Sequence, residues 1–314
     1  MDNLDDFERD FRTDYDCKAF LQAQRWPDGV RCARCGAKEK VYALKARPFH
    51  WVCKNPDCGG PNGYRFSVIT RTIFENTKIP LHLWFKVGYL MLTAKKGMSS
   101  LQVRRIIFGE DSGTDWHTAW YMCHRWRCAT RGDAFPLTGI VEVDETYVGG
   151  KDKNRHASKK SRRAREIDAL TRTVPPYKPN EAIGYKKVEV IGAIARKGNV
   201  VAKVIGGMDA PTKYGFVRDT VSEKVSLVAT DENPAYKHLG LPHEAVNHSK
   251  GEYVRGNVHT ANIDSFWSLL KRGIIGTYHK VSKDYLPLYL NEFSYRHDNR
   301  DNPDVFADLL TTCG

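Results

Sequence analysis

The chain has no long uninterrupted apolar run. The best candidate, Leu81 to Ala94, is broken by His82, Lys86 and Gly88 and falls short of the roughly 20 residues needed to cross a bilayer. The N-terminal stretch through Asp16 is acidic where a secretory or transit leader is basic, so the expected location is cytoplasmic. Acidic residues are in deficit: 37 Asp and Glu stand against 49 Lys and Arg, a formal charge of +12 over 314 residues. That imbalance makes a polyanion the leading partner. With 41% hydrophobic and 27% charged residues the composition is neither that of a disordered chain nor that of a membrane protein. The length suits two or three domains, each with its own core.

Four of the eight cysteines fall in two close pairs, Cys32-Ala33-Arg34-Cys35 and Cys53 with Cys58, with 17 residues between the pairs. Such pairs can set four thiolates at the corners of one tetrahedron, which suits a structural Zn²⁺. Disulfides are disfavoured in a reducing cytosol. The intervening residues 41–44 and 49–52 read as short strands, and turns at Gly36 and at Gly59-Gly60 close the two pairs. The segment therefore reads as a zinc ribbon liganded by Cys32, Cys35, Cys53 and Cys58, with His50 as a competing ligand. Cys17, Cys123, Cys128 and Cys313 have no partner at ligand spacing and read as ordinary thiols. Arg31, Arg34, Lys38, Lys40, Lys45 and Arg47 stud the ribbon near Trp26 and Trp51. That mixture suits phosphate contact, and equally a solvated surface over a small aromatic core.

From Pro80 the spacing of Leu81, Trp84, Phe85, Gly88, Tyr89 and Leu92 predicts a helix with one buried face. Ser99 is placed to cap the next helix, and a third runs from Asp115 to Arg131 carrying His117, Trp120, Tyr121, His124, Arg125 and Arg127. The series fits a helix-turn-helix DNA reader and also a generic helical hairpin. Residues 151 to 165 hold eight Lys and Arg, Lys159, Lys160, Arg162 and Arg163 among them, against the single acid Asp152. A run this dense reads as an inserted arm whose natural counter-ion is a phosphate backbone.

Two segments that read as strands, 139–150 and 225–231, carry Asp144 and Asp231 toward their ends, and a predicted amphipathic helix over 263–275 carries Asp264 in its first turn. Strands at 188–196 and 200–206 are joined at Gly198-Asn199, and a helix is expected over 211–221. One strand-end Asp is usually a cap or a turn. Three such acids gathered at one edge of a mixed sheet repel one another unless divalent cations neutralise them, and two Mg²⁺ bridged by an Asp make a site for phosphodiester chemistry.

Longer segments carry a family resemblance. They are Arg25-Trp26-Pro27-Asp28-Gly29, Val143-Asp144-Glu145-Thr146-Tyr147-Val148-Gly149-Gly150-Lys151, Thr230-Asp231 and His248-Ser249-Lys250-Gly251-Glu252-Tyr253-Val254. Further on come Phe266-Trp267-Ser268-Leu269-Leu270-Lys271-Arg272-Gly273, Gly276-Thr277-Tyr278-His279, Glu292-Phe293 and Arg296. Over nearly its whole length the chain resembles the zinc-ribbon-bearing bacterial insertion-sequence transposases, relatives of the eukaryotic Merlin elements. The resemblance implies an RNase H-like DDE domain that cuts and joins double-stranded DNA, element ends and target alike, with two Mg²⁺ or Mn²⁺ in their place. It implies Asp144, Asp231 and Asp264 as catalytic metal ligands, and Lys271 as the family's lysine two helical turns beyond the third acid. It further implies at least a dimer on DNA and association with a bacterial nucleoid. The family usually has Glu where this chain has Asp264, shorter by one methylene or roughly 1.5 Å of reach. Asn262 is the back-up ligand, and a domesticated, non-catalytic DNA-binding descendant is the alternative function.

The expected architecture is therefore multidomain. Residues 1–70 form a helix and zinc ribbon, 71–135 a helical DNA-binding segment, and 136–314 an α/β RNase H-like mixed-sheet domain with a basic insertion at 151–182. The expected DNA contacts are Lys271, Arg272, Lys159, Lys160, Arg162, Arg163, Arg125 and Arg127.

Overall fold

The structure, a computed structural model, describes residues 3–59, 61–132, 136–149, 187–236 and 239–313. The basic insertion, with Lys159, Lys160, Arg162 and Arg163, lies outside them. The chain divides into two compact units, one of Met1–Asp133, Gly276–Tyr278 and Leu288–Gly314, the other of Ala134–Ile275 and His279–Pro287.

The first unit opens with helices α1 (Leu4–Asp10) and α2 (Asp14–Arg25). Thr13 caps α2 with a reciprocal box, its hydroxyl accepting from Asp16 N–H while the Asp16 carboxylate accepts from Thr13 N–H. The antiparallel ribbon follows, in order β1 (Val41–Ala43), β2 (His50–Cys53) and β3 (Tyr64–Ser67). The third strand, beyond the second cysteine pair, is a feature that the cysteine spacing does not signal. Helices α3 (Leu81–Thr93), α4 (Ser100–Phe108) and α5 (Trp116–Ala129) come next. Ser99 caps α4 by accepting from Gln102 N–H at 3.2 Å, as its position suggests.

One apolar core joins ribbon and helices. It takes Trp51, Cys53 and Phe66 from the ribbon, Trp84 and Phe85 from α3 and Trp126 from α5. It also takes Phe306, Leu309 and Leu310 from α9 (Val305–Thr311), which follows α8 (Leu286–Asp298). Phe306 meets Phe7, Phe11 and Phe85 edge-on at 5.6–5.8 Å. The chain end thus belongs with the first unit, although sequence order attaches it to the sheet. The one aromatic ring of α9, Phe306, packs among rings of α1 and α3.

A buried ionic network crosses this core. Arg127, wholly buried, donates from Nε to Glu292 at 2.6 Å and lies 4.0 Å over the Tyr289 ring. Glu292 also accepts from the Tyr278 hydroxyl at 3.0 Å and from Arg296. Burial pushes the Glu292 carboxyl up, but the attraction of Arg127 and Arg296 outweighs it and leaves the group below its ordinary range. Removing one member of such a pair costs about 3–5 kcal/mol, because the other is left buried and uncompensated. Glu292→Ala should therefore lower the melting temperature by about 10 °C in calorimetry, whereas Glu244→Ala, at an exposed pair with Arg255, should shift it little.

The second unit is built on a five-stranded mixed sheet of order β6-β5-β4-β7-β8, consistent with an RNase H-like fold. Its strands are β4 (Ile140–Val148), β5 (Val188–Ala195), β6 (Val200–Val204), β7 (Leu227–Thr230) and β8 (His243–Ala245). β4 and β5 pair antiparallel, as do β5 and β6, whereas β4–β7 and β7–β8 are parallel. The β5–β6 turn is centred on Arg196-Lys197, with Lys197 at φ +57°, two residues before the expected Gly198-Asn199. Alternation along β4 sends Val141 and Val143 into a core with Phe216 and Val217 of α6 (Ala210–Thr220). The opposite face of the sheet receives α7 (Ala261–Gly273), which continues as a π-helix, Ile274–Tyr278. Gly192, the partner of Asp144 in register, makes room for that helix, since a Cβ there would fall 2.6 Å from the Trp267 ring.

Candidate metal centres and nucleic-acid surfaces

In the ribbon the four predicted thiols gather. The sulfurs of Cys32, Cys35, Cys53 and Cys58 lie within 4.8 Å of one another, with Cys32–Cys58 at 3.3 Å and Cys35–Cys53 at 3.8 Å. Gly36, at φ +74°, allows the first turn to close, its N–H reaching Cys32 O at 2.9 Å. Burial and the neighbouring thiols push Cys58 up to about 12, while N–H donors from Cys35 and Arg34 overcome burial and bring Cys32 down to about 7. A thiol set packed this tightly suits a thiophilic cation that removes the protons and the repulsion together. His50 is not in the cluster; its Nδ1 bonds to Pro48 O at 2.9 Å.

The ribbon's basic residues separate into two groups. Arg34 stacks on Tyr64 and donates to Cys58 O, Arg31 approaches Asp28, and Lys38 donates to Asp28 O. Lys45, Arg47 and Arg65 instead line a groove of about 490 Å³ with His50, Ser67 and Thr70, and have no ion-pair partner among the described residues.

At the sheet, β4 and β7 are parallel, with Glu142 in register with Ala229, so β7 ends at Thr230 and Asp231 follows beside Asp144, which lies in the middle of β4 and not toward its end as expected. One carboxylate oxygen from each of Asp144, Glu145 and Asp231 lies within 4.8 Å of the others. Asp264, in the first turn of α7, stands outside that tightest set but near it. Burial pushes the Asp144 carboxyl up to about 7, helped by repulsion from Asp264, Glu145 and Asp231, of which Asp264 acts most strongly. No basic side chain pairs with Asp144, Asp231 or Asp264 among the described residues. Glu145 differs. It is paired with the buried Lys213 of α6 at 2.6 Å and accepts from the Tyr236 hydroxyl. Asp144 and Asp231 converge with no basic partner of their own among the described residues, which suits a hard divalent cation.

Glu145 falls within a family-like motif but without a role assigned to it, whereas Lys213 and Tyr236 escape a reading of the sequence by motif, as does Glu142, which is fully buried and bonded to the start of α7. The available signal for Glu142 is its place two residues before Asp144, on the same face of the strand, between the apolar Val141 and Val143. Asn262, the back-up ligand, has its side-chain amide committed to Glu142 at 2.7 Å.

Among the expected DNA contacts, Lys271 and Arg272 are exposed at the end of α7, and Arg272 Nε reaches Ser268 O at 3.2 Å. Arg127 requires a correction. It is 0% exposed and bound to Glu292, so it offers nothing to a phosphate; a cation on a predicted helix can point inward when a buried acid awaits it. Arg125 is half-buried and donates to the carbonyls of Ile73 and Glu75. The exposed face of α5 carries Trp116, His117 and Tyr121 instead.

Comparison with known proteins adds three findings. Residues 136–298 match the ISXO2-like transposase domain family, and residues 12–61 match the transposase zinc-ribbon domain. A protein of Halobacterium salinarum described as "Uncharacterized protein in transposable element ISH50" is 28% identical over 303 residues, spanning 94% of this chain and 95% of that one.

Proposed function

Because the chain belongs to the ISXO2-like transposase family, we propose that it cuts the ends of its own insertion element and joins them to target DNA. Asp144, Asp231 and Asp264 are the metal-binding carboxylates on this reading. The observation that carries it is the approach of Asp144 and Asp231, neither paired with a basic side chain among the described residues, where β7 ends beside the middle of β4. Two Mg²⁺, or Mn²⁺ in their place, would polarise the scissile phosphodiester and acidify the attacking water or 3′-hydroxyl. Asp144 and Asp231 hold the reacting centre at the sheet edge. Glu145, within the same cluster, is engaged by Lys213 and Tyr236. Lys271 lies seven residues beyond Asp264, two turns along the same helical face, where its ammonium can hold a backbone phosphate.

Non-specific attraction comes from exposed cations, the ribbon groove among them. Replacing Lys45, Arg47 and Arg65 together by Ala should weaken duplex binding and reduce the slope of log affinity against log salt by about 0.9 for each phosphate no longer neutralised. An unchanged slope in fluorescence anisotropy would place the DNA elsewhere. The four-cysteine ribbon holds a structural zinc on the same reading, and paired element ends require at least a dimer, acting on chromosomal DNA in the cytoplasm.

The direct test incubates the purified chain with duplexes bearing the element's terminal repeats. Mg²⁺-dependent cleavage followed by strand transfer is the expected result. Tight end binding without any cleavage in Mg²⁺ or Mn²⁺ would favour the non-catalytic alternative, for which the short Asp264 is the motivating residue.

A further inference from the structure

Helix α7 is capped in an unusual way. Its N-cap residue, Thr260, makes no side-chain capping bond, although an N-cap hydroxyl ordinarily accepts from the second or third helical N–H. Both of those N–H groups go elsewhere. Asn262 N and Ile263 N donate to Glu142 Oε2 at 2.8 and 3.2 Å. Glu142 Oε1 accepts from Asn262 Nδ2 at 2.7 Å and from Arg196 Nε at 2.9 Å, with the His259 ring nitrogen 3.2 Å away. Thr260, relieved of capping, turns its hydroxyl to Asp264 and donates to Oδ2 at 3.1 Å.

From this exchange we infer that Glu142 is a positioning residue for the third carboxylate. It fixes the start of α7 against β4 and leaves the Thr260 hydroxyl to orient Asp264 toward Asp144. The inference rests on the proposed metal site. It gives the shorter Asp264 a means of being held in place: the strand that carries Asp144 also carries the cap of the helix that carries Asp264. Glu142 itself is 0% exposed and touches no reacting group.

Glu142→Gln keeps the shape but not the function. Its amide must present NH₂ either to the two backbone N–H groups or to Arg196 and Asn262, so one donor always faces another. Thr260→Val removes only the hydroxyl, and Thr260→Ser restores it. Each variant is assayed in the full chain for duplex affinity, for strand cleavage across a Mg²⁺ titration, and for the Mn²⁺ concentration that half-maximally raises the melting temperature.

Glu142→Gln and Thr260→Val should each cleave on the order of 100-fold more slowly, the loss that misplacement of about 1 Å brings. Each should also need at least about tenfold more metal, on the order of 1.4 kcal/mol in binding, with duplex affinity unchanged. Thr260→Ser should stay within about threefold of the parent. The double variant should be no worse than the worse single one, because both act through the same carboxylate. Parental cleavage and metal midpoints in either single variant, or losses that multiply in the double, would overturn the inference. If Glu142→Gln does not fold, Thr260→Val decides alone. If the parent chain itself never cleaves, the transposase site reading fails, while the Mn²⁺ midpoints still report whether Glu142 and Thr260 set the acid cluster.

Discussion

Asp144→Asn and Asp231→Asn should each abolish measurable Mg²⁺-dependent strand cleavage while leaving duplex binding within about twofold. A metal held by these acids supplies several kcal/mol to the transition state. A loss of about 4 kcal/mol is already roughly 1,000-fold in rate. The substitution keeps the side chain's shape, so the effect isolates the charge. Full cleavage by either variant would remove that residue from the site. The metal-free chain should behave oppositely in stability. The folded Asp144 carboxyl titrates near 7 because burial and three neighbouring acids oppose its ionisation, well above the unfolded value of about 3.9. The native state therefore holds an extra proton between about pH 4 and 7, and stability falls as pH rises through that window. Asp144→Asn should melt higher than the parent at pH 8 without metal, and the difference should vanish or reverse when Mg²⁺ is added. A parent chain whose metal-free melting temperature is flat from pH 5 to 8 would contradict the electrostatic account.

Removal of zinc should have the largest effect on the first unit. Four-cysteine sites in small metal-dependent folds contribute about 10–16 kcal/mol of apparent binding energy, and Cys53 sits at 0% exposure in the core that also holds α3, α5 and α9. Chelation, or Cys53→Ser, should therefore unfold β1–β3 and loosen the helices packed on them. Trp26 and Trp51 stand edge to face at 5.2 Å, and Trp51 stacks on Phe66 at 5.8 Å. Tryptophan fluorescence should consequently red-shift as metal leaves. Elemental analysis should give one zinc per folded chain. Hydrogen exchange should deprotect 41–67 together with parts of α3, while β4 and β5, whose residues build a separate core, keep their protection. Complete loss of zinc with unchanged fluorescence and melting would assign the ribbon's stability to its aromatic core alone.

What can be read along the chain follows the range of each interaction. The cysteine pairs, the Ser99 cap and the apolar face of α3 are set by residues within a few positions of one another, and spacing reveals them. Asp144, Asp231 and Asp264 are far apart in sequence. They are recognisable because Asp231 follows a strand, Asp264 opens a helix and the segments around all three resemble a known family, although Asp144 lies in the middle of β4. Arg125 and Arg127 look like surface cations on a recognition helix, since nothing local to α5 announces that Glu292 lies buried beneath it. Glu292 and Arg296, conspicuous as family-like residues, turn out to serve the core of the first unit.

Metal-ligand spacing, strand alternation and charge are written in residue order, and they suffice to mark a basic, zinc-ribbon protein with a transposase-like set of acids. Which charges remain available is a matter of folding. Burial leaves Arg127 and Lys213 facing acids in the interior, so that Glu145, alone of the three clustered carboxylates, carries a counter-charge among the described residues. It also gives the capping of α7 to Glu142, 118 residues before its N-cap. A charge in water is nearly indifferent to its distant neighbours. Once desolvated it must be matched at contact distance, and those partners are chosen by the fold.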